Sequence, residues 1–191
     1  SETKAETKTD ANGVISGTET TQTTTPDGST GTTTTTTENG NTKTEAEAKI
    51  SEKAVEDAKQ SGEAVKVPTE VKAGEDSNSA PTVKVELPKD AGETKIEIPV
   101  SDVNSGTVAV IVREDGTEEI VKSSTTTENG LQLKVEGSAT IKVIDNSKTF
   151  DDTQKHWSRD EVNFVASREL FNGVGNKLFG VNESMTRGMV N

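Results

Sequence analysis

The sequence predicts a mainly β protein: a threonine-rich stretch of β-hairpins or linker, a small antiparallel β-sandwich or barrel, and a short α-helical segment. Three observations carry this. Val83, Val85 and Leu87 alternate with Lys84 and Glu86, and Ile96, Ile98 and Val100 alternate with Glu97 and Pro99. A period of two places apolar side chains on one face of a strand. Such runs follow one another closely, with Gly-containing turns and no helical interlude, the pattern of a small sandwich or barrel. From Phe150 onward the apolar period lengthens to that of a helix. The expected organisation is 1–45 as threonine-rich repeat or linker, 46–147 as a short helix plus β-domain, and 148–191 as the helical part.

Residues 1–45 are dominated by threonine, punctuated by Asn12-Gly13, Asp27-Gly28 and Asn39-Gly40. Asn-Gly and Asp-Gly tolerate positive φ and favour tight hairpins. Threonine between them has high β propensity through its branched Cβ. The same composition suits a threonine-rich linker, and a polar hairpin on its own is marginal in water. Both readings stand at this point.

Over 46–62 the spacing changes. Ile50, Ala54, Val55 and Ala58 follow a helical period, Ser51 is a candidate N-cap and Gly62 a candidate stop. From Val65 the period falls to two. Val108–Val112 is unbroken, as expected of a strand buried on both faces. Glu114-Asp115-Gly116, Glu128-Asn129-Gly130 and Gly137 separate the later runs. The expected core includes Val85, Ile98, Val110, Ile111, Leu133 and Val143.

Composition narrows function. Only 28% of residues are hydrophobic and 3% aromatic, with the apolar ones sparse before Ile50, so one core spanning the chain is not expected. A net charge of −12 with no basic stripe repels a phosphate backbone, so no nucleic-acid partner is expected. No apolar run approaches the roughly 20 residues that span a bilayer. The opening residues form neither a basic nor an apolar leader region, so any export signal is expected outside this chain. There is no cysteine and His156 is the lone histidine. That leaves no thiolate or multi-histidine metal site, no His-based catalytic pair, and no expected cofactor. No catalytic residue is assigned. Carboxylates are plentiful but scattered, with no aromatic-lined pocket of the kind a glycosidase needs.

The C-terminal part carries the most specific pattern. Phe150-Asp151-Asp152-Thr153 is followed by His156-Trp157, a helical stretch to Leu170, Phe171-Asn172-Gly173, Phe179, Asn182 and Met185-Thr186-Arg187. Ser158 and Glu161 have the spacing of a capping box. Val162, Val165, Ala166 and Leu170 make one apolar face, with Trp157, Phe164 and Phe171 seven apart beside it. Asn172-Gly173 is a candidate left-handed exit, and Thr186 a candidate cap for a second helix.

This order resembles the S-layer homology repeat, whose pattern runs Phe-x-Asp, His-Trp, helix, Gly-flanked loop, Phe-x-Pro and Ile-Thr-Arg-Ala-Glu. Phe150, Asp151, His156, Trp157, Gly173, Phe179, Thr186 and Arg187 stand at the matching places, over roughly Phe150 to Asn191. Val181-Asn182 departs from Pro-Asn, and Gly188-Met189 from Ala-Glu. The loss of that Glu removes half of the capping box after Thr186.

The resemblance implies an exported protein at the cell wall of a Gram-positive bacterium, held by repeats that associate, usually in threes, around secondary cell-wall polysaccharide. It implies polysaccharide-binding roles in the complete module for Asp151 as hydroxyl acceptor, Trp157 as apolar platform and Arg187 as cation for an acidic sugar. Arginine suits the last because its planar fork holds a carboxylate bidentately. Trp157 has a second reading as a core residue on its helical stripe, and Arg187 as a surface partner of Glu183. With one incomplete repeat, further repeats are expected to be needed for binding. Self-association in a surface layer is a further partner the resemblance leaves open. The expected function is a non-catalytic stalk and anchoring region. The alternative is a carbohydrate-binding or adhesin-type β-module of a secreted polysaccharide-degrading enzyme. That alternative is weakened because residues 63–147 contain no Phe, Trp or Tyr to stack on sugar.

Overall fold

A computed structural model describes residues 1–9, 11, 13 and 15–184. The threonine-rich stretch is ordered as an antiparallel meander of β1 (Glu2–Thr9), β2 (Ile15–Thr24), β3 (Thr30–Glu38) and β4 (Asn41–Lys49). Between β3 and β4, Glu38 lies opposite Asn41, and Asn39 and Gly40 take φ of 51° and 79°. Positive φ at both central residues is the turn whose twist matches the flanking strands. Asp27 orders the β2–β3 loop, its Oδ1 accepting the Ser29 N–H at 2.8 Å and the Thr25 hydroxyl at 2.7 Å. Threonine hydroxyls pair across strands at Thr3–Thr21 (3.1 Å), Thr35–Thr44 (3.2 Å) and Thr37–Thr42 (3.2 Å). The hairpins also have an edge to build on, because β4 continues into the main sheet.

The remaining elements are α1 (Glu52–Ser61), β5 (Val65–Lys66), β6 (Val71–Lys72), β7 (Thr82–Glu86), β8 (Glu93–Ser101), β9 (Thr107–Val112), β10 (Glu118–Ile120), β11 (Thr125–Thr126), β12 (Gly130–Glu136), β13 (Ser138–Asp145) and α2 (Arg159–Ser167). One eight-stranded sheet runs β1-β2-β3-β4-β7-β13-β9-β10; a second runs β11-β12-β8-β5, with β6 also on β8. Val83, Val85, Ile141 and Val143 of the first sheet and Ile96, Ile98, Leu131 and Leu133 of the second pack into one apolar cluster, each at most 3% exposed. Each such burial contributes about 1.5–3 kcal/mol. Val108 and Val110 turn the other way, with Ala80 and Ile144, so β9 is buried on both faces at its centre.

The expected antiparallel β-domain is corrected in one respect. β4 pairs with β7, and β5 and β6 with β8, in parallel. The chain between β4 and β7 holds α1 and two short strands, ample length for a parallel return. Among the expected core residues, Val85, Ile98, Val110, Leu133 and Val143 are buried, whereas Ile111 is half-buried, one strand from the edge beside the three-residue β10.

The helix runs between its expected cap and stop, Ser51 and Gly62. Ala46 and Ala48 belong to β4, opposite Val83 and Val85, and are buried there. The two predicted caps are made: Ser51 Oγ accepts the Ala54 N–H at 3.1 Å, and Gly62, at φ 77°, donates its N–H to Ala58 O at 2.9 Å. The Ser51 N–H itself reaches Ser29 Oγ at 3.0 Å, so the same serine ties α1 to the β2–β3 loop. Ser51→Ala is expected to cost about 1 kcal/mol in thermal or urea unfolding. No measurable change would show that this cap is dispensable.

Candidate functional site

The C-terminal segment is organised around one carboxylate. Phe150 O accepts the Thr153 N–H (3.2 Å) and the Thr153 hydroxyl (3.1 Å), closing a turn that presents Asp152 to a distant loop. Asp152 Oδ1 accepts the Phe179 N–H at 2.9 Å, and Oδ2 accepts the Gly180 N–H at 2.8 Å and the Val181 N–H at 3.4 Å. The backbone bond from Phe179, joined by those from Gly180 and Val181, holds the Asp152 pKa below its ordinary value. Phe150 and Phe179 meet edge-on beside this clamp, ring centroids 5.3 Å apart. The intervening loop turns through Gly175, Asn176 and Lys177, all at positive φ. Gly173 packs closely: a Cβ there would meet Leu178 O and lie 2.8 Å from Phe150 Cε1.

Asp151, the sequence-selected carboxylate, points its side chain into solvent, and its backbone N–H donates to Lys177 O at 2.8 Å. Sequence reasoning missed Asp152, although the Phe-x-Asp spacing counted from Phe150 falls on it. Trp157 is 84% exposed, which overturns the core reading. It precedes α2, so the expected stripe with Phe164 and Phe171 does not include it. Its ring lies beside that of His156, centroids 5.4 Å apart and tilted by 35°. Arg187 and Thr186 lie outside the described residues.

The start and end of α2 also differ from expectation. Ser158 occupies the N-cap position, but its hydroxyl bonds His156 Nδ1 at 2.7 Å rather than a helix N–H, and the Ser158–Glu161 capping box is not made. The helix stops at Ser167 rather than Leu170. Glu169, at φ 56°, takes the left-handed position expected of Asn172-Gly173.

Between α2 and the clamped loop lies a mostly apolar cleft of about 340 Å³, lined chiefly by Val162, Val165, Phe171, Phe179 and Val181. Every aromatic residue of the chain lies between Phe150 and Phe179. Among the described residues, no group of three or more His, Asp or Glu side chains could hold a metal ion, and no helix is long and apolar enough to cross a membrane. The segment thus offers an exposed indole just ahead of α2, a carboxylate committed to scaffolding, and an apolar cleft.

Residues 149–188 match the family model of the S-layer homology domain. No curated protein and no solved structure matches the chain. Domains of this family anchor proteins to cell-wall polysaccharide, which places this protein at the cell surface.

Proposed function

Residues 149–188 belong to the S-layer homology family, and from that premise we propose that the chain is the non-catalytic stalk and wall-proximal end of an exported protein. The meander and β-domain act as a spacer, and the C-terminal segment supplies the first part of the grip on secondary cell-wall polysaccharide. One observation carries this reading: all aromatic side chains sit in the C-terminal segment, and the single tryptophan stands in water at its surface. A solvated indole supplies the apolar face on which a sugar ring stacks. The β-domain has no aromatic side chain to offer a sugar, which favours a spacer over a lectin-like module. His156, the lone histidine, is engaged by Ser158, consistent with a structural rather than a proton-transfer role.

In this reading the grip lies between neighbouring repeats, with Arg187 as the cation for acidic sugar, Asp151 as a hydroxyl acceptor and Trp157 as the apolar platform. The test is cosedimentation with isolated cell walls. A longer chain carrying three such repeats is expected to sediment with the walls, and the 191-residue chain weakly or not at all. In the longer chain, Arg187→Ala is expected to weaken binding about tenfold and Arg159→Ala much less, because a bidentate charge-assisted pair is lost only in the first. Contributions from other repeats reduce that loss. Equal binding by short and long chains would refute the between-repeat grip, and no binding by the long chain would refute the anchor.

A further inference from the structure

Arg168, just past the end of α2, is completely buried, yet it carries a full guanidinium. Its Nε donates to Ser124 O at 2.6 Å, Nη1 to Ser105 O at 3.1 Å and Phe164 O at 3.2 Å, and Nη2 to Thr107 O at 3.0 Å. The guanidinium carbon lies 3.7 Å from the centre of the Phe164 ring. Ser105 and Thr107 mark the start of β9 and Ser124 the turn after β10, so three of these carbonyls belong to the β-domain. Among the described residues, no carboxylate is a partner. Burial pulls the Arg168 pKa down to about 10, which leaves it charged at neutral pH.

We propose that Arg168 is the joint that fixes the wall-binding segment onto the β-domain, so that the two move as one body. A buried cation is tolerated only where its donors are met, and here, beside the Ser167 hydroxyl at 3.2 Å from Nη1, the partners are four backbone carbonyls that cannot rotate away. Apolar contact lets two surfaces slide, whereas a planar fork bonded to carbonyls on two loops specifies one orientation. Flanking bonds act in the same sense. Asn146 Nδ2 donates to Ser167 O at 2.6 Å, and Asn163 Nδ2 to Ser105 Oγ at 2.9 Å, while Asn163 Oδ1 accepts the Lys148 N–H at 2.8 Å. The segment's hold on a wall therefore sets the direction in which the β-domain and meander project.

The experiment uses the full 191-residue chain without cell walls, so its outcome is independent of the anchoring reading. In ¹⁵N relaxation, the amides of α2 and of β7–β13 are expected to share one rotational correlation time. In Arg168→Met, α2 is expected to report a shorter one, and tryptic cleavage at Lys148 and Lys155 to accelerate about tenfold, as local opening becomes easier. Loss of α2 structure with β7–β13 still folded would equally show that the segment depends on this joint. Should Arg168→Met abolish folding altogether, Asn163→Ala, which leaves no unpaired charge, is read the same way and is expected to move both measures by a smaller amount. Independent tumbling in the unaltered chain, or unchanged relaxation and proteolysis in the variant that folds, would overturn the proposal.

Discussion

Ile98→Ala is expected to destabilise the chain by about 2–5 kcal/mol, lowering the thermal midpoint by about 5–15 °C for a protein of this size. Ile98 is fully buried in β8, between β12 and the interior that it shares with Val83, Val85, Ile141 and Val143. Truncation leaves a cavity that surrounding strands, held by their own ladders, fill only in part. Ile111→Ala is expected to cost roughly 1 kcal/mol or less, since its half-buried side chain gives up less contact. Chemical unfolding monitored by circular dichroism separates the two. Equal losses would mean that the second half of β9 is as enclosed as the interior.

Ile98 stands in an alternating run and Ile111 in an unbroken one, both expected in the core, and only the strand order shows that Ile111 lies toward an edge. Alternation of side chains reveals that a strand has an inside face; it says nothing about neighbours or direction. The strands, their turns and most of the core were therefore legible, while the parallel return of β7 onto β4 was not. The helix shows the same limit. Ala46 and Ala48 stand two apart, a strand spacing, although alanine favours helix intrinsically. Burial against β7 decides for the strand, because only alternate positions there face the interior. The caps at Ser51 and Gly62 were legible because they are local.

The C-terminal segment divides along the same line. Its order of residues was enough to identify the family, but a pattern does not assign work to side chains. Trp157 fitted an apolar stripe by spacing alone, and lost that place because Ser158 turns its hydroxyl toward His156 and the helix begins only at Arg159. Arg168 gave no signal, since its partners in the β-domain are main-chain carbonyls more than forty positions away that any residues could have supplied. A buried arginine held chiefly by backbone carbonyls has no complementary charged residue to find.

Asp152→Ala is expected to release the loop at Phe179–Val181, with its amides losing about tenfold or more of their protection from hydrogen exchange, whereas Asp151→Ala leaves them unchanged. The asymmetry follows from geometry: among the described residues, Asp152 takes up successive N–H donors of a loop that offers them no carbonyl, and the Asp151 side chain takes up none. The same clamp predicts a pH dependence. Because the Phe179 bond, with those of Gly180 and Val181, lowers the folded pKa beneath the ordinary 3.8, the carboxylate contributes its full stabilisation above that ordinary value. The contribution is lost as pH falls through the lower, folded value. The amide resonances of Phe179 and Gly180 are therefore expected to titrate together with a midpoint below 3.8, and not to titrate in Asp152→Ala. A midpoint at or above the ordinary value, or an undiminished titration in the variant, would show that another group holds the loop.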